Sequence, residues 1–251
     1  MSDLFDVLWL TASPSLKYFD RPLIRYMAGH INIAQWEYIQ SLDEGSTIDK
    51  AVELLYLYLK ERNSPIHLIG HGISGVVGLI FARRYPQLAK SLTLLAVGAK
   101  PAMTWHSHYY LQRQVLPASR EQVLVHSIRS LFGNQPPCPV KNLVTALVRD
   151  LEKSPNPHSL LNLVNLPQGG VSIPLMVCGS KTDSIVNPPE LHKWQNYLKL
   201  EDKLWECPDG YHFFHYFYPE KVGQQILRFW QSSDPLFFSH RVYQHLYNLY
   251  N

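Results

Sequence analysis

The chain has 251 residues, 46% of them hydrophobic and 17% charged, a composition that fits one large globular domain and excludes disordered, collagenous and coiled-coil proteins. A chain of this length can bury roughly 70–75% of the surface its unfolded form exposes, so it needs neither disulfides nor a structural metal. Lysine and arginine number 23 against 20 aspartates and glutamates, a net charge of +3 spread along the chain, which leaves no basic stripe for nucleic acid or an anionic membrane.

The opening segment has no basic stretch followed by a long apolar one, and no run of about 18 apolar residues occurs anywhere, which predicts a soluble, cytoplasmic protein without a transmembrane segment. The three cysteines, Cys138, Cys178 and Cys207, form no CxxC pair, and an odd, sparse count suits a reducing compartment. Short apolar runs recur at Val7–Leu10, Ile31–Ala34, Ile66–Ile69, Leu92–Val97 and Leu175–Cys178, with a weaker run at Leu204–Glu206. Helical periods fill most of the gaps. Ile48, Val52, Leu55 and Leu59 put one apolar stripe on 47–61, and Val222, Ile226 and Phe229 do the same later. Runs that are apolar throughout predict strands buried on both faces, hence a parallel sheet covered by helices, a doubly wound α/β fold of about six strands.

The stretch 100–170 interrupts this alternation with helical patterns and the proline-rich breaks 135–139 and 155–157, and reads as an inserted helical cap. The core then comprises 1–99 and 171–231, and residues 232–251 form an aromatic tail expected to pack on the body.

Residues 65–86, PIHLIGHGISGVVGLIFARRYP, carry the most information. An apolar strand meets Gly70-His71-Gly72-Ile73-Ser74-Gly75 and then a helical run, as a sharp strand-to-helix turn requires, because small residues let the helix pass close to the strand. A phosphate-binding turn is the competing reading, but the spacing is neither GxGxxG nor GxxxxGK[ST].

The segment resembles the nucleophile elbow of the α/β-hydrolase family, usually G-H-S-x-G-G, except that glycine stands at position 72 where the family has its nucleophilic serine. Ser74 occupies a position where the family has glycine, and its hydroxyl is expected to point into the strand–helix contact. The resemblance implies that Asp183, in the loop after Leu175–Cys178, is the acid, although Gly179 lies four residues before it where the family has three. It implies that His212, in a run DGYHFF, is the histidine, with Tyr211 replacing a usual glycine and His215 as the competing candidate. The oxyanion donors would be the backbone N–H groups of Ala12 and Ile73, the first in a turn, Thr11–Pro14, that lacks the family's His-Gly. The likeness runs from Val7 to about Trp230, without two N-terminal strands common in the family and without its Asp-x-x-Gly-x-Gly segment.

His106 and His108 open the presumed cap without a carboxylate or cysteine at ligand spacing, and His67 and His71 lie on a strand and a turn, so no metal and no cofactor is assigned. Three functional readings remain open. The protein is a non-catalytic member of the fold that holds a small apolar or ester-like molecule, or a partner, in a capped pocket; or an enzyme, hydrolase or lyase, that uses the Asp183–His212 pair without a covalent serine; or an ordinary serine hydrolase in which glycine has replaced the nucleophile.

Overall fold

A computed structural model describes residues 5–39 and 45–233. Most of the predicted tail, from residue 234 onward, lies outside the described residues. Six strands, β1 (Val7–Thr11), β2 (Ile33–Glu37), β3 (Ile66–His71), β4 (Ala89–Leu95), β5 (Leu175–Ser180) and β6 (Lys203–Cys207), form one sheet in the order β2-β1-β3-β4-β5-β6. Every pairing is parallel. The helices are α1 (Arg21–Ala28), α2 (Ile48–Leu59), α3 (Ile73–Arg84), α4 (Trp105–Val115), α5 (Arg120–Phe132), α6 (Val140–Lys153), α7 (Pro188–His192), α8 (Phe214–Phe217) and α9 (Pro219–Ser233).

Alternate residues of the central strands enter different cores. Leu8, Leu10, Leu68, Leu92 and Leu94 pack with Val52 and Leu55 of α2 and Val76 and Leu79 of α3. Val7, Trp9, Ile69, Leu95 and Met176 pack on the opposite side with Leu23 and Met27 of α1 and Val222, Ile226 and Trp230 of α9. Burial on both faces is why these strands read as unbroken apolar runs. At the edge, β2 is only partly buried, so its polar Gln35 and Glu37 belong to the strand while Ile31, whose N–H bonds Met27 O, ends the turn after α1. That is why the apolar run at Ile31–Ala34 predicts the strand too early. The run at Leu92–Val97 errs the other way: β4 starts at Ala89 and stops before Ala96, which takes φ 52°. In α2, Thr47 is the N-cap, its side chain accepting the Lys50 N–H.

The helices α4, α5 and α6 are inserted between β4 and β5. Fully buried Asp150 ties α6 to the start of α4, accepting the Trp105 indole N–H at 3.0 Å and meeting His106 Nε2 at 2.9 Å. Ser154 Oγ lies 3.0 Å from the same His106 nitrogen. A shared nitrogen cannot pass a proton between serine and carboxylate, so this buried Ser-His-Asp set is a clamp between helices. Among the described residues no helix is long and apolar enough to cross a membrane.

After α6 the chain is pinned by His158, whose Nε2–H donates to Ala102 O at 2.7 Å while Nδ1 accepts the Val164 N–H at 3.2 Å. The second bond needs the neutral ring, because a protonated Nδ1 cannot accept, whereas the first survives protonation. Burial lowers the pKa of His158, with the bond to Ala102 opposing the shift and His106 adding to it. A depressed histidine stabilises the fold above its unfolded pKa of about 6.5, and that contribution is lost as pH falls towards the folded value. Hydrogen exchange at Val164, corrected for intrinsic rate, should therefore quicken below about pH 6.5, and a flat profile would contradict this account.

Candidate functional site

The site lies at the carboxyl ends of the parallel strands, where β3 runs directly into α3. A Cβ on Gly70 would stand 2.7 Å from Gly75 N and 2.7 Å from Ser74 C, so the helix packs against bare backbone there. Between them Gly72 takes φ 51° and ψ −124°. Its N–H donates to Leu95 O at 2.9 Å and its carbonyl accepts the Val76 N–H at 3.0 Å, which fixes the apex from both sides. Space is open above it: within 4 Å a Cβ on Gly72 would meet only His212 Nε2, at 3.8 Å. A serine hydroxyl there could reach that nitrogen.

Asp183 follows β5 in a turn closed by its own N–H on Ser180 O at 3.2 Å. Its buried carboxylate accepts from the N–H groups of Ile185 and Val186 at 2.8 and 3.1 Å through Oδ1, and from His212 Nδ1 at 2.9 Å through Oδ2. With Nδ1–H committed to the carboxylate, His212 turns a bare Nε2 towards Gly72, the arrangement of a general base. Tyr211, where a glycine is usual, adopts φ 54°. Room for its ring comes from Gly133, where a Cβ would fall 2.2 Å from that ring.

His215, the competing histidine, is turned away from Asp183 and bonds Asp20 at 2.9 Å through Nε2, while the other oxygen of Asp20 accepts the Trp9 indole N–H at 3.1 Å. His71 donates Nε2–H to His212 O at 3.0 Å. Burial, and then the neighbouring His215 and His212, hold the His71 pKa well below its ordinary value, so the ring is neutral. From α4, His108 approaches the Asp183–His212 pair and bonds the Ile185 backbone; burial, then His212, lowers its pKa, while Asp183 and Ile185 pull the other way.

The two expected oxyanion donors differ. Ile73 is the first residue of α3, where an N–H has no intrahelical partner. The Ala12 N–H is already engaged, donating to Ser74 Oγ at 2.8 Å. Ser74 thus does not end in the strand–helix contact: its hydroxyl sits where an oxyanion would need the Ala12 donor. The cavity over Gly72 measures about 20 Å³, room for roughly one water. Leu16, Trp105 and Phe213 wall it on the apolar side, and Ser13, His71 and His212 on the polar side.

The sequence reading brought Gly72, Ile73, Asp183 and His212 to one place, and the structure sets them there. Asp20 and the use made of Ser74 lie outside that reading. A serine where close packing calls for glycine is the local signal for Ser74, the histidine pair at the start of the helical stretch is the signal for His108, and Asp20 carries none.

An α/β-hydrolase fold is what this sheet order, elbow and strand-end arrangement define, and solved structures agree. The chain is similar to a membrane phospholipase A (TM-score 0.70, 15% identity, 93% of this chain and 80% of that one) and to the enol-lactonase from Burkholderia xenovorans (0.67, 14%, 89% and 90%). It is also similar to naproxen esterase from Bacillus subtilis (0.65, 15%, 92% and 85%). No family model matches the chain. It belongs to one family with an uncharacterized protein of Nostoc sp., 54% identical over 250 residues (99% of this chain, 100% of that one), and another of Synechocystis sp., 37% identical over 226 residues (90% of each).

Two substitutions test the geometry. Gly72→Ala should lower stability by about 1–3 kcal/mol, because a side chain must then adopt a left-handed φ. Ser74→Ala should cost about 1–3 kcal/mol in urea unfolding, because the Ala12 N–H is left buried without its acceptor. A neutral result at Ser74 would mean that the bond to Ala12 contributes nothing.

Proposed function

We propose that the protein is a non-catalytic or nearly inert relative of α/β-hydrolase-fold esterases and lipases, one that holds a small apolar or ester-like molecule beneath its inserted helices. The observation that carries this reading is a double loss at one turn. Gly72 supplies no nucleophile, and the N–H of Ala12, which should help to bind an oxyanion, donates to Ser74 Oγ at 2.8 Å. Loss of a triad nucleophile leaves only about 10³–10⁴-fold acceleration over water, and loss of one oxyanion donor removes about 10²–10³ in kcat. Residues 100–170 act as the cap on this reading, and the sparse free cysteines suit the cytoplasm.

The intact Asp183–His212 pair favours a second reading, in which Nε2 of His212 activates water or takes a substrate proton. The cavity beside that nitrogen is the size of a water molecule, about 20 Å³. The unaltered protein should turn over p-nitrophenyl acetate no faster than its His212→Ala variant, and a fluorophosphonate should leave Ser74 unlabelled. Turnover that disappears with His212→Ala would establish the second reading instead.

Restoring the machinery should take two changes. Gly72→Ser alone adds the hydroxyl but leaves the Ala12 N–H occupied, whereas Gly72→Ser with Ser74→Gly also frees that donor. The double variant should exceed the single one by about 10²–10³ in kcat, and His212→Ala should abolish both activities. Equal rates for the two variants would show that Ser74 is no obstacle.

A further inference from the structure

Beneath the Asp183–His212 pair lies a second group of titratable side chains for which the reading above has no use. Asp20 comes from the turn before α1, His71 from the end of β3 and His215 from α8. One ligand atom from each lies within 4.8 Å of the other two. Asp20 and His215 are buried and His71 is half-buried.

Both imidazoles are set up to coordinate. His71 spends Nε2 on a carbonyl oxygen and His215 spends Nε2 on a carboxylate oxygen. Each partner is an acceptor, so in the metal-free neutral rings the proton sits on Nε2: His71 offers the lone pair of Nδ1, whereas His215 faces Asp20 through Nε2 and gives up that proton when a cation takes its place. Asp20 and His71 also line the cavity over Gly72, whose volume of about 20 Å³ leaves room for one water-sized group on the side that faces His212.

We propose that Asp20, His71 and His215 form a binding site for one divalent transition-metal ion. Two imidazoles and one carboxylate with an open position suit zinc, cobalt or nickel better than calcium or magnesium, which prefer sets made of oxygen. Bonds of about 2.0–2.1 Å in a tetrahedral site place ligand atoms about 3.4 Å apart. Asp20 Oδ1 and His215 Nε2 already stand 2.9 Å apart, so the closure falls mainly to His71, the least buried of the three. Metal binding here does not depend on whether the Gly72 site is catalytic.

The test uses the full-length, tag-free protein stripped with a chelator, titrated with Co²⁺ by visible absorption and with Zn²⁺ by calorimetry. One ion should bind per chain, with the d–d bands of a low-coordinate Co²⁺ site. Asp20→Asn and His71→Gln should each weaken binding by about tenfold or more. The exposed-histidine variants His126→Ala and His192→Ala should bind like the parent. Circular dichroism of the metal-free variants checks folding. If Asp20→Asn fails to fold, His71→Gln decides, since the glutamine amide can keep the bond to His212 O. No saturable binding at one ion per chain, binding undiminished in folded His71→Gln, or binding that vanishes in His126→Ala or His192→Ala would overturn the proposal.

Discussion

The rest of the molecule is arranged around a close backbone approach. For α3 to leave β3 without a loop, the peptides at Gly70 and at Ser74–Gly75 must come within van der Waals contact, and a Cβ on Gly70 would sit 2.7 Å from two of their atoms. That approach forces the intervening residue into φ 51° and projects whatever it carries out of the sheet's end, towards the loops after β1, β5 and β6. The position of His212, the turn holding Asp183 and the donor at Ala12 all face this one point. In this chain the point carries a hydrogen atom. The constraint that would present a side chain has been kept although no side chain is presented.

Two histidine–carboxylate pairs are stacked below it and divide the work of burying charge. Asp183 receives three donors and fixes His212, while Asp20 receives an indole N–H and fixes His215. His71 lies between them, its ring centroid 4.8 Å from that of His212 and 4.5 Å from that of His215. A proton on His71 would place a cation beside two further imidazoles in a desolvated site, and that is the physical reason its pKa is low. A neutral middle ring lets the outer two be oriented independently, each by its own carboxylate.

The parts of this arrangement that were legible in the sequence are those whose signals are local. Both-faced burial writes β1, β3, β4 and β5 as apolar runs, and the elbow writes itself as clustered glycines within six residues. Edge strand β2 was displaced by two residues because half-burial mixes Gln35 and Glu37 into it. Asp183 and His212 are placed by the resemblance of their segments to the α/β-hydrolase acid and histidine motifs, the second after a run, Leu204–Glu206, that is itself weak. Asp20 and His215 are 195 positions apart, and nothing near either one announces the other. His106 shows no carboxylate near it in sequence for the same reason, since its partner Asp150 arrives on another helix, 44 residues further on. Ser74 was visible, but the object of its hydroxyl was the backbone N–H of Ala12, in the turn after β1 and 62 residues away.

On the proposed reading, the inserted helices set the terms for a ligand. A cavity of about 20 Å³ cannot hold an ester, so binding one means displacing Trp105 and the start of α4 from above Gly72. Trp105 is tied by its indole N–H to fully buried Asp150, which also meets His106. Opening the site while α6 stays in place would strand a buried carboxylate, an expensive state, whereas moving α4 and α6 together keeps the clamp intact. The second route is the cheaper one. A ligand that binds only the open form has its apparent affinity reduced by the fraction of molecules that are open, so the contacts joining α4 and α6 to the body, as well as the residues around Gly72, decide how tightly this fold can hold a guest.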